Sequence, residues 1–134
     1  AEFDDAYAFA KGSFELSQSV GHTKGAAAAL LRMADVLLAI NDEPEAVVQV
    51  AQEALAMLQR LGDWLGEISA QMAIAKGHRA DGLVNYAIEA LEAALAIARK
   101  LKDRRRIGEV ITAMVELMPA DFALQTMEEE ATSA

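Results

Sequence analysis

Apolar residues recur at spacings of three and four along most of the chain. Between 87 and 100, Ala87, Leu91, Ala94, Leu95 and Ala98 share one helical face, while Glu89, Glu92, Arg99 and Lys100 lie largely off it, as a surface amphipathic helix requires. Glycine and proline divide the sequence into segments of roughly 15 to 20 residues, a helical length and too long for average strands. Asn41 closes one segment, and Asp42-Glu43-Pro44 opens the next, because Asp can cap free amides and Pro in the first turn loses no hydrogen bond. Gly62-Asp63 and Asp81-Gly82 are comparable breaks, and Pro119 stops the last long segment. The pattern predicts six helices, over 4–19, 23–40, 43–61, 64–78, 83–101 and 104–118. Phe122, Leu124 and Met127 give 121–130 the character of a short seventh.

The pattern also repeats. Glu-Ala-Leu-Ala-Met-Leu-Gln-Arg-Leu-Gly-Asp at Glu53 to Asp63 returns forty residues later as Ala-Ala-Leu-Ala-Ile-Ala-Arg-Lys-Leu-Lys-Asp at Ala93 to Asp103. Gly21-His22-Thr23-Lys24-Gly25 and Gly62-Asp63-Trp64-Leu65-Gly66 lie forty-one apart, and Met33-Ala34 then falls on Ile74-Ala75. Two helix types alternate, so the unit is a helical hairpin, and units of this length stack into solenoids. The one-residue difference belongs in an inter-helix turn, where repeats tolerate it.

The small residues where paired helices cross are Ala34 with Ala46 in one unit and Ala75, Ala87 and Ala94 in the next. With Leu37 and Leu91 at the larger apolar positions, the chain resembles the tetratricopeptide repeat family, in its longer variant of about forty residues seen in kinesin light chains and several bacterial regulatory scaffolds. The resemblance covers most of 6–118. It departs from the family at His78, where Tyr is usual, in lacking the early Trp, and in placing Ala54 one residue late. It implies an all-α, right-handed solenoid of antiparallel helix pairs. The 134 residues then form one domain with units 4–22 (half a pair), 23–62, 63–102 and 103–130 (a partial or capping unit).

In that family the first helix of each pair lines a concave groove that receives a peptide or helix. The corresponding positions here are Ala28, Leu31, Asp35 and Leu38, then Ser69, Met72, Lys76 and Arg79, then Glu109, Thr112 and Glu116. Leu31, Leu38 and Met72 are divided between core and ligand contact, and Lys76 and Arg79 between a solvated face and attraction of an acidic segment. Co-chaperone members grip a terminal carboxylate with Lys and Asn at such positions. Leu31, Asp35, Ala73, Glu109 and Ala113 stand there instead, and Asp35 with Glu109 repels such a tail.

Composition narrows the function classes. A net charge of -9 disfavours nucleic acid, since phosphate binding needs a basic stripe and the longest basic run is Arg104-Arg105-Arg106. The most apolar window, Ala26 to Ile40, carries Arg32 and Asp35 and is shorter than the roughly 18 residues needed to span a bilayer. The absence of Cys removes disulfides and thiolate zinc sites and leaves the cytoplasm as the default setting. His22 and His78 lie in different units with no ligand spacing, no Gly-rich phosphate loop follows a strand, and no nucleophile and base can be paired. No metal, cofactor or enzymatic activity is expected.

Several segments have two readings. Trp64 is expected to pack between repeats, or else to stand exposed as a binding anchor. Glu128 to Glu130 read as a solvated or disordered tail, or else as the end of a short helix that Phe122, Leu124 and Met127 dock onto the last pair. Ala1-Glu2-Phe3 reads as a remnant of cloning ahead of an excised fragment. The leading expectation is a protein-interaction scaffold. Self-assembly through the end repeats is the alternative, because solenoids need polar caps and this one opens with Phe3, Tyr7, Phe9 and Phe14. A small-effector sensor of a regulatory protein is the third.

Overall fold

Each short inter-helix turn spends the same backbone device. In a computed structural model, which describes residues 2–41, 43–118 and 128–132, Gly21, Gly62, Gly82 and Lys102 adopt left-handed φ values of 73°, 68°, 76° and 55°. The next amide then reaches back five residues: His22 to Ser17, Asp63 to Leu58, Leu83 to His78 and Asp103 to Ala98, at 2.8–3.1 Å. This closes the free carbonyls of the outgoing helix and reverses the chain. The turn into α3 uses Asn41, also left-handed at φ 56°.

The helices so delimited are α1 (Glu2–Ser19), α2 (Thr23–Ile40), α3 (Pro44–Leu61), α4 (Trp64–Ala80), α5 (Val84–Leu101) and α6 (Arg104–Leu117). They match the six predicted segments to within two residues at every boundary. The described residues contain no strand, and 128–132 add a helical turn; the rest of the expected seventh helix lies outside the described residues. His22, Asp63 and Asp103 cap the even-numbered helices, each side chain accepting from the amide three residues on, at 3.0, 2.9 and 3.1 Å. Asp42 lies outside the described residues; Glu43 holds the cap position of α3 without a side-chain bond, and Pro44 follows it.

Turns of two or three residues between helices that pack along their length force consecutive helices to run antiparallel. Each helix packs on the next, and α2 also packs on α4 across the layers, which is the arrangement of a helical-repeat solenoid. The core is built mainly from alanine. Ala26, Ala27, Ala29, Ala51, Ala54, Ala87, Ala94 and Ala98 are at most 1% exposed, around Leu30, Val47, Leu91 and Val110. Each alanine buries little area, so cohesion depends on close helix approach, within about 8–10 Å. The expected crossing residues Ala34, Ala75, Ala87 and Ala94 are all buried, and Ala46 is half-buried. His78 stands with its ring 5.5 Å from that of Tyr86 on α5.

Candidate protein-interaction site

Two glycines let α4 close on α3. A methyl group at Gly66 would meet Leu58 at 2.5 Å, and one at Gly77 would meet Val48 at 2.7 Å and Val47 at 3.2 Å. The forty-residue repeat puts Arg106 and Leu117 at these two positions of α6. Arg106 is half-buried, its Nε is enclosed without a hydrogen-bond partner, and its Nη1 lies 3.7 Å from Glu109. Two bulky side chains therefore stand in α6 at the repeat positions of the two α4 glycines. The α5–α6 junction is less extensive than the others, and α6 lies less closely against α4 than α4 does against α2.

Between α4 and α6 lies a cleft of about 80 Å³ lined by Met72, Ala75, Lys76 and Arg79 of α4, Leu91 of α5, and Ala113, Glu116 and Leu117 of α6. Leu91 is buried, Ala75 is 4% exposed, and Met72, Ala113 and Leu117 are half-buried, so the inner wall is apolar. The rim is charged. Arg79 Nη1 donates to Glu116 Oε2 at 3.0 Å across the cleft, with both side chains 54% exposed, and Lys76 stands exposed beside them.

The cleft gathers four of the eleven expected groove residues, Met72, Lys76, Arg79 and Glu116, while Ala28 and Ser69 are exposed outside it. Leu31, Asp35 and Leu38 lie on α2 outside it. Leu31 and Leu38 are half-buried against the core, and Asp35 is exposed. Glu109 and Thr112 sit on α6, outside the cleft. Glu109 accepts from Arg105 Nε at 3.2 Å and pairs with Arg106, and the Thr112 hydroxyl donates to the Gly108 carbonyl at 2.8 Å. Both are engaged within their own helix. Reading one exposed face per helix missed Ala75, Leu91 and Leu117 as cleft lining. The signal that could have found them is the loss of both glycines in the third copy of the repeat.

Two open readings can now be compared with the fold. Trp64, in the first turn of α4, is 48% exposed, so about half of its surface is available as an anchor. The acidic run is not wholly a solvated tail, since 128–132 is helical and Glu130, half-buried, forms an ion pair with Arg99 of α5. Arg104 and Arg105 are exposed, as a solvated face requires, whereas Arg106 is not. Among the described residues no group of His, Asp and Glu is placed to hold a metal, and no helix is long and apolar enough to cross a membrane.

The fold and cleft define an all-helical repeat protein. No protein-family model and no curated protein matches the chain. The likeness to tetratricopeptide repeats therefore rests on the residues quoted above.

Proposed function

We propose that this domain is a non-catalytic protein-interaction scaffold of the tetratricopeptide type. It takes a peptide or short helix along its even-numbered helices and seats one apolar side chain between α4 and α6. The observation that carries this reading is the cleft itself, an apolar wall of Met72, Leu91 and Leu117 under a rim of Lys76, Arg79 and Glu116. Small-molecule sites are typically 300–1,000 Å³. A recess of about 80 Å³ suits one aliphatic side chain and is too small for an effector of that class. The rim can orient the ligand backbone, because Arg79 and Glu116 are exposed enough to exchange each other for peptide groups. The lack of Cys is compatible with work in the cytoplasm.

The test is a peptide-display selection against the intact domain, followed by calorimetric titration of the selected peptide. Met72→Glu places a charge in the apolar wall and should weaken binding at least tenfold with the helical circular dichroism unchanged. Leu31→Glu, on α2, reports whether the ligand continues along the groove. Equal affinity for the wild type and Met72→Glu would refute the cleft as the seat.

A further inference from the structure

One edge of the stack carries most of the chain's positive charge. Because consecutive helices run antiparallel, the α1–α2, α3–α4 and α5–α6 turns fall on the same edge. The repeat-related windows 18–25, 59–66 and 99–106 hold eight of the twelve Lys and Arg, but of the 21 Asp and Glu only Asp63 and Asp103. The edge is therefore strongly basic in a chain whose net charge is -9. Both of its acids cap helices, on the Gly66 and Arg106 amides. Arg99 pairs with Glu130 and Arg106 is half-buried, whereas Lys24, Arg60, Lys100, Lys102, Arg104 and Arg105 are exposed.

Large apolar side chains stand on the same edge. Val20, Leu61, Trp64 and Leu65 are 70%, 45%, 48% and 46% exposed, at the first two turns, while the cations concentrate at the third. Isolated exposed apolar residues are common, but a row of them beside a basic cluster indicates a contact surface. Between the first two turns an open hollow of about 410 Å³ sets Gln18, Thr23 and Arg60 beside Met57 and Leu61, so polar donors and apolar surface meet there too. This edge is separate from the cleft, whose Arg79 and Glu116 lie at the far ends of α4 and α6.

We infer that this edge rests on an anionic lipid surface, with Leu61, Trp64 and Leu65 at headgroup level and the basic cluster against the lipid headgroups. Trp, Lys and Arg suit that boundary because each joins an apolar body to a polar tip. Clusters of roughly 4–8 basic residues are what anionic lipids attract, and six exposed cations fall in that range. The acidic edge does not oppose this orientation. Glu43, Glu45 and Asp81 stand at the other end of 17- and 18-residue helices, about 26 Å away and several times the Debye length of about 8 Å. A single-stranded nucleic acid fits less well, since it stacks on successive aromatic rings and Trp64 is the only Phe, Tyr or Trp in the three windows. An acidic protein fits less well because interfaces are depleted in Lys, and Lys24, Lys100 and Lys102 make up half of the exposed cations.

Trp64 is the sole tryptophan, so its fluorescence reports this edge alone. The intact chain is titrated with vesicles of phosphatidylcholine containing about 30 mol% phosphatidylserine. Its emission should move to shorter wavelength and become quenchable by lipids brominated on the acyl chains, and the protein should sediment with the vesicles. Pure phosphatidylcholine should bind at least about tenfold more weakly, and added salt should weaken binding to the anionic vesicles. Each cation near such a surface strengthens binding about fivefold. Lys100→Glu combined with Arg104→Glu should therefore lower it at least about twentyfold with the helical circular dichroism unchanged, since both side chains are exposed. Leu65→Ser should weaken binding severalfold, while Glu45→Lys, on the opposite edge, should bind as the wild type does. Four results would each overturn the inference: no change in Trp64 emission with anionic vesicles, normal binding by the double variant, tighter binding by Glu45→Lys, or an equal shift with poly-glutamate or a single-stranded oligonucleotide in place of vesicles.

Discussion

Replacing Gly77 by Ala should destabilise the domain although Ala is the better helix former. Gly77 lies near the end of α4, fully buried, at ordinary helical φ. In an exposed helix interior the exchange gains about 1 kcal/mol. Here the new methyl would stand 2.7 Å from Val48 Cγ2 and 3.2 and 3.3 Å from Val47 Cγ1 and Cβ, where ordinary contact begins near 3.4 Å. The valines cannot yield by rotation, because β-branched side chains hold one rotamer in a helix and both are already buried. The helices must separate instead, which loosens the alanine contacts along the α3–α4 seam. Overpacking of this kind costs about 1–3 kcal/mol, and the rigidity of the neighbours places Gly77 at the upper end. The net loss is about 1–2 kcal/mol, or roughly 3–8 °C in melting temperature for a domain of this size. Thermal melts followed by circular dichroism decide the matter. A Gly77→Ala protein as stable as the wild type, or more so, would refute close α3–α4 approach.

Gly108→Ala in α6 provides the opposite sign: its methyl meets nothing within 4 Å, so the melt should rise by an amount equivalent to about 0.5–1 kcal/mol. At the cap of α2, His22→Ala removes the acceptor of the Gly25 amide and should cost about 1 kcal/mol. His22→Asp, which copies Asp63 and Asp103, should match or exceed the wild type in urea titration. A double-mutant cycle on Arg79 and Glu116 should give a coupling below about 1 kcal/mol that shrinks with added salt, since both side chains are half exposed.

Helix boundaries were legible because each rests on local chemistry. The left-handed glycines and the capping residues three positions before a well-placed amide act within one turn, so Gly62-Asp63 and Asp81-Gly82 identify themselves in sequence. Alanine positions at helix crossings were legible for a related reason, since the forty-residue period fixes which face meets a neighbour. The cleft was not, because it arises from a comparison between units. Arg106 and Leu117 look unremarkable alone and acquire meaning only against Gly66 and Gly77, whose role is visible once Leu58 and Val48 are seen beside them. Trp64 stayed open because aromatic size suggests burial, whereas its place in the first turn of α4 leaves nearly half of it in solvent. The pairing of Arg99 with Glu130 joins residues that no periodicity connects.

The six methionines allow the central proposal to be tested at the site itself. With the methyl groups labelled by carbon-13, the intact domain is titrated with a peptide selected for binding, and the methionine signals are followed by NMR. Seating of an apolar side chain between α4 and α6 predicts that Met72, in the cleft wall, shifts first and furthest, while Met33 and Met57, buried against α2 and α3, stay in place. A titration that moves Met57 and leaves Met72 unchanged would contradict the account.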